Sequence, residues 1–133
     1  MITKDQMVPM ILEACPSFTK KFEEFEEDWK GEDEEAPLYI LLGDLAEHIV
    51  YLHQSNTVKE FPSLFRVIEQ FHTEGDPYVR EAATIGILED IQSIAVNNGL
   101  NPEKLSPYLL SESLIWWHKL NQFWDGDPTA LQE

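Results

Sequence analysis

The sequence predicts an all-α protein of about five to six helices arranged in antiparallel helical hairpins. Three observations carry this. Apolar residues recur at helical spacing in successive segments of the chain. Those segments are punctuated by Pro, Gly, Asn and Asp at positions that start or stop helices. The stretch Phe61–Ala95 reads as two such helices folded around one tight turn, Thr73-Glu74-Gly75-Asp76-Pro77. A chain of 133 residues with 43% hydrophobic and 11% aromatic content suits a single domain, 1–133, with a real core. A compact, irregular helical bundle is the alternative arrangement.

The first helix is expected over residues 3–14. Thr3 can cap it, with Gln6 at capping-box spacing. Met7, Met10, Ile11 and Ala14 share one face. Pro9 lacks an N–H and is expected to bend the segment unless it lies in the first turn. The second helix, 17–29, carries Phe18, Phe22, Phe25 and Trp29 as a narrow aromatic stripe between charged positions. Gly31 ends it, and residues 31–36 form a solvated acidic loop. The third, 38–54, is the most apolar and therefore central, with Leu38, Leu41, Leu42, Leu45, Ile49 and Leu52 on its main face.

In the hairpin, Phe61, Leu64, Phe65, Ile68 and Phe71 line the first helix. Asp76 is the N-cap and Pro77 the first residue of the second helix. Ala82, Ala83 and Gly86 are small enough for a neighbouring helix to approach closely. Asn97-Asn98-Gly99 closes that helix. Asn101-Pro102 and Ser106-Pro107 cap short turns. The last helix is expected over 107–124, PYLLSESLIWWHKLNQFW, with a split near Ser111, which can itself start a helix; Leu114, Trp117, Leu120 and Trp124 make one stripe. Asp125-Gly126-Asp127-Pro128 stops it, and residues 129–133 are expected to fray.

GDPYVREAATIGIL resembles the turn and second helix of a HEAT repeat: Asp76-Pro77, Val79-Arg80, the small pair Ala82-Ala83, then Ile87-Leu88. The resemblance implies a short HEAT-like α-α superhelix with a concave binding face, with Arg80 buttressing the turn through Asp76. It covers only Phe61–Ala95. In addition, the composition, LEDIQ at Leu88–Gln92 and the WW…FW ending resemble small bacterial proteins found among toxin-immunity genes. That likeness implies an immunity protein, one that binds a cognate toxin domain and blocks it.

The net charge of −16 is the main global constraint on partners. Such a chain repels nucleic-acid phosphates and anionic lipid headgroups, so neither DNA, RNA nor an acidic membrane is expected as a partner. It attracts basic protein surfaces. Half of the charge comes from one run at 23–35, where Lys30 is the single base among nine acids. Glu23, Glu24, Glu26, Glu27, Asp28, Glu32, Asp33, Glu34 and Glu35 are thus the candidate partner-binding residues, against the reading of the run as a solvated face. The run lacks the glycine-centred ligand spacing of a calcium loop.

Nothing in the chain points to a cofactor, and the expected class is non-catalytic. There is no Gly-rich phosphate loop, no paired-cysteine motif and no nucleophile elbow around Ser111-Glu112-Ser113. Asp44, Glu47 and His48 lie close enough on one helix to suggest a metal-dependent hydrolase as the enzymatic alternative, although two or three ligands on one helix do not complete a site. Asp90 is expected near the rim of the apolar face, where burial would call for a partner such as Arg80 or Lys119. A homo-oligomeric structural module burying its aromatic residues is a further alternative, and the oligomeric state stays open. Cys15 is a lone thiol, expected buried, and fits a reducing cytoplasm. The N-terminus is not expected to act as a secretory signal, and no transmembrane helix is expected.

Overall fold

A computed structural model describes residues 1–32 and 36–132. The expectations that fall on Asp33, Glu34, Glu35 and Glu133 lie outside the described residues. Among the described residues the protein is all-α, with helices α1 (Lys4–Ala14), α2 (Thr19–Asp28), α3 (Leu38–Gln54), α4 (Phe61–Glu74), α5 (Pro77–Glu81), α6 (Glu89–Asn97) and α7 (Ser111–Trp124). Short 3-10 turns occupy Pro16–Phe18, Pro102–Lys104 and Ser106–Tyr108. Ala82–Leu88 is a π-helical segment that joins α5 to α6 in one continuous rod.

The caps explain where the helices begin and end. The Gln6 side chain accepts from the Thr3 N–H at 2.9 Å, which completes the start of α1. The helix runs on through Pro9, beyond its first turn. Asp76 Oδ1 accepts from the Val79 N–H at 2.9 Å and Pro77 opens α5. Gly31, Gly99 and Asn56 take left-handed φ values of 85°, 73° and 56° just past α2, α6 and α3. The expected helix 107–124 begins only at Ser111, because Ser106–Tyr108 makes a separate turn and Leu109 and Leu110 are extended.

The core is continuous. Trp117, Phe18, Phe61, Phe65, Phe71, Met7, Ile11, Leu42, Leu45, Ile49, Leu64 and Ile68 are its largest fully buried side chains. α3 packs most extensively against α6 and the π segment, and α4 against α1 and α7. Gly86 makes the first of these packings possible: a Cβ there would stand 2.9 Å from Leu42 Cδ1 and 3.2 Å from a Tyr39 ring carbon. Phe61, Phe65 and Tyr108 form an aromatic triplet with centroid distances of 5.2, 4.9 and 5.9 Å.

The tight turn between α4 and α5 also holds the N-terminus. Ile2 pairs with Gly75 as an isolated parallel bridge, its N–H donating to Glu74 O at 2.8 Å and its carbonyl accepting from Asp76 N at 2.9 Å. The chain end therefore crosses beneath the turn and links α1 to the hairpin. At the other end, the segment 129–131 is not frayed. Ala130 is buried, Leu131 packs on the core, and Asp127 Oδ1 accepts from both the N–H and the hydroxyl of Thr129.

The role expected of Arg80 is not observed. The Asp76 carboxylate is committed to the Val79 amide, and the exposed Arg80 side chain has no ion-pair partner among the described residues. The turn is buttressed by a helix cap, not by an ion pair. Asp90 is half-buried, as the rim position implies, but pairs with neither Arg80 nor Lys119 among the described residues. It lies over Gly43, whose missing Cβ would sit 3.2 Å from Asp90 Oδ2, and burial holds its carboxyl above the ordinary range.

Candidate functional sites

Helix α2 separates two kinds of side chain. Phe18 and Phe25 are buried, and Phe22 and Trp29 are partly buried against the core. Glu23, Glu24, Glu26, Glu27 and Asp28 are all exposed, as is Glu32 just beyond the helix. None of these six acids has an ion-pair partner among the described residues; Lys21 instead reaches Glu47, at 3.8 Å. Beside this helix lies a shallow groove of about 240 Å³ lined by Val8, Phe22, Phe25, Leu38 and Leu41, with Lys4, Asp5 and Glu26 as its charged lining among the described residues. The aromatic anchoring thus turns five carboxylates of one short helix toward solvent.

Asp44, Glu47 and His48 do not converge. Glu47 is exposed, Asp44 is half-buried, and His48 is only 6% exposed. Helical spacing placed the three close in sequence, but the His48 ring turns into the interior, where its centroid lies 5.6 Å from that of Phe18. Among the described residues no group of three or more His, Cys, Asp or Glu side chains is arranged to hold a metal ion.

His48 belongs to a different cluster. Its Nε2 lies 2.8 Å from Ser17 Oγ. The Ser17 hydroxyl donates to Glu60 Oε1, the Ser17 N–H donates to Glu60 Oε2 at 3.2 Å, and the Cys15 thiol donates to Glu60 Oε1 at 3.4 Å. Serine, histidine and glutamate thus meet, but with the wrong connectivity for nucleophilic catalysis. In an acyl-transfer triad the carboxylate orients the histidine through its second nitrogen. Here the carboxylate holds the serine, and His48 Nδ1 is buried without a hydrogen-bond partner among the described residues. Burial acts to raise the Glu60 carboxyl, but the hydrogen bonds from Ser17 and Cys15 outweigh it and hold the group below its ordinary range. Burial pushes the Cys15 thiol up to about 11, so it is not a thiolate at neutral pH. The cluster ties the turn at Pro16–Phe18 to α3 and to the start of α4, and so fixes where α2 begins.

A second cluster lies at the opposite end of α4. The Glu69 carboxylate accepts from Glu112 N at 2.9 Å, Ser113 N at 2.8 Å and Ser113 Oγ at 2.9 Å, capping α7 from a neighbouring helix. Burial opposes its charge, but these three donors prevail and its carboxyl titrates below the usual range. His72 is buried beside it. Its Nδ1 lies 3.1 Å from Ile68 O and 3.0 Å from Ser113 Oγ, and its Nε2 lies 3.1 Å from Thr84 Oγ1. A carbonyl can only accept, so Nδ1 carries the proton and Nε2 accepts from the Thr84 hydroxyl. Burial pulls the His72 pKa down to about 4, although Ile68 O and Glu69 favour the charged form.

Thr84 lines a cleft of about 360 Å³ between the start of the long rod and α7. Its lining includes Arg80, Ile85, Trp116 and Leu131. The sequence shows no sign of this cleft or of the two histidine clusters, because each joins residues more than ten positions apart.

No helix among the described residues is long and apolar enough to cross a membrane. Neither a curated protein nor a solved structure matches the chain. A family described as a domain of unknown function, DUF7674, matches residues 8–125, a span that takes in the acidic face of α2, both histidine clusters and all of α7. The chain belongs to the DUF7674 family.

Proposed function

We propose that the protein is a non-catalytic binding module whose α2 face engages a basic protein surface. The observation that supports this reading is the exposure of Glu23, Glu24, Glu26, Glu27 and Asp28 on a helix pinned from behind by Phe18 and Phe25. Fixed like charges raise the rate of encounter with a basic partner and restrict which partners bind. The adjoining groove adds apolar surface next to Glu26, which suits a partner presenting Lys or Arg beside apolar residues. The helical-repeat likeness of Phe61–Ala95 is compatible with a rigid scaffold for such a face. The finer reading is an immunity protein of the bacterial cytoplasm, the basic partner being a cognate toxin domain neutralised by stoichiometric binding.

Affinity capture from the native host tests this with two baits, the wild-type chain and a variant with Glu23, Glu24, Glu26 and Glu27 changed to Gln and Asp28→Asn. The expected result is a basic protein bound by the first bait, lost from the second, and released by raised salt. Helical circular dichroism confirms that the variant is folded. Equal recovery on both baits defeats the charge-driven reading. Recovery of a basic toxin whose activity is blocked at one-to-one stoichiometry supports the immunity reading, and an unaffected toxin argues against it.

A further inference from the structure

We propose that the cleft between the rod's N-terminal part and α7 is a binding site for a small organic acid, a carboxylate carried on an apolar body. The site is separate from the acidic face of α2. Its apolar wall comes from Ile85, Trp116 and Leu131, with Pro77 at one edge. At about 360 Å³ it falls at the low end of the roughly 300–1,000 Å³ typical of small-molecule sites, so one compact ligand fits and a long peptide does not.

Charge identifies the polar end of that ligand. Arg80 lines the cleft, and its guanidinium has no ion-pair partner among the described residues. A guanidinium offers five N–H donors in a planar fork that matches a carboxylate with two parallel hydrogen bonds. Lys119, outside the lining, holds its Nζ 4.4 Å from the Trp116 ring centroid. Glu81 is the one acid in the lining. In a chain with 25 acids and 9 bases, a lining in which Arg80 and Glu81 balance escapes the acidic excess of the whole. Thr84 does not supply the anion's donor, because its hydroxyl is committed to His72 Nε2.

The backbone marks the same place. Thr84 and Ile85 belong to the π segment Ala82–Leu88, and single π turns inside α-helices occur frequently at functional sites. The widened turn places an apolar side chain and a buried hydroxyl along a cleft that Arg80 reaches from one turn earlier.

The test is titration of 15N-labelled protein with 3-phenylpropanoate and with octanoate, using neutral 3-phenylpropanol and cationic 3-phenylpropylamine as isosteric comparisons. Saturable shifts of the Thr84 and Ile85 amides and the Trp116 indole N–H are expected with at least one acid. Affinity for that acid should exceed that for the alcohol at least tenfold, and Arg80→Gln should lower it by a similar factor. Arg80 is exposed, so the variant is expected to fold, and its unperturbed spectrum away from the cleft verifies this. The proposal is overturned if neither acid saturates, if the alcohol or amine binds as tightly, if Arg80→Gln leaves affinity unchanged, or if the shifts map elsewhere.

Discussion

Burying neutral His72 makes stability depend on pH in a window that can be worked out in advance. The ring titrates near 4 in the folded protein and near 6.5 when unfolded. Above about pH 6.5 both states leave it neutral, and it contributes no pH dependence. As pH falls from 6.5 toward 4, the unfolded chain takes up a proton that the folded state refuses, so stability falls. Between pH 7 and pH 5 this one group removes about 2 kcal/mol, and roughly 3 kcal/mol once pH is below both values. His48 is also held below its ordinary pKa by burial and adds in the same direction. Asp44, Glu89 and Asp90 are held above theirs and act in the opposite direction over their own range. A comparison of wild type with His72→Gln cancels these shared terms. Urea unfolding followed by tryptophan fluorescence gives the free energy at pH 7 and pH 5 for each. The loss on acidification should be smaller in the variant by about 2 kcal/mol. Equal losses in the two proteins refute the buried-neutral assignment.

Three further outcomes follow from the packing. Gly75→Ala would place a Cβ 2.3 Å from Phe71 O and 2.6 Å from Val79 Cγ1, so a cost of about 1–3 kcal/mol is expected in the same urea assay; wild-type stability would show that the turn relaxes freely. Glu69→Ala removes the acceptor for two α7 amides and the Ser113 hydroxyl, and should cost about 1–2 kcal/mol with faster amide exchange at Glu112 and Ser113; exchange that stays slow would rule out the cap. Trp117→Ala empties a fully buried site and leaves Glu103 without the indole donor, for an expected loss of about 3–5 kcal/mol, whereas Trp124→Ala, at a residue 54% exposed, should stay within about 0.5 kcal/mol. Similar losses at the two tryptophans would contradict the assigned burial.

The features legible in the sequence are those written in local chemistry. Helical spacing marked α3 and α4, and Asp76-Pro77 marked the start of α5, because caps and periodicity act within a turn or two of the residues concerned. The same locality misled at His48. Asp44, Glu47 and His48 are close in sequence, but which side of α3 faces the core depends on what packs there, and Phe18 and Ser17 arrive from another segment. Arg80 shows the same limit from the other side. Its position after Asp76-Pro77 fits the repeat pattern, yet among the described residues Asp76 caps Val79 N and Arg80 has no ion-pair partner. The π segment left no signal, since AATIGIL is as compatible with an α-helix and the extra residue in the turn is accommodated only by tertiary packing. Trp116, Trp117 and Trp124 shared one motif but separated into half-buried, buried and exposed.

Both histidine clusters tie α4 to distant segments, and this has a consequence for how charge is borne. Net charge of −16 opposes compaction through self-repulsion. Two half-buried acids are given donors that are not bases. Glu60 is held by the Ser17 amide and hydroxyl and by the Cys15 thiol, and Glu69 by two amides and a hydroxyl of α7. Among the described residues no lysine or arginine pairs with either carboxylate. Charge-assisted hydrogen bonds from backbone N–H groups stabilise an ionised carboxylate without a counter-ion. Arg80 is thereby left without an ion-pair partner among the described residues at the cleft, and the carboxylates of α2 are left facing solvent. Each histidine cluster is thus a scaffold device, and the uncompensated charges that could recognise something else lie on the surfaces they position.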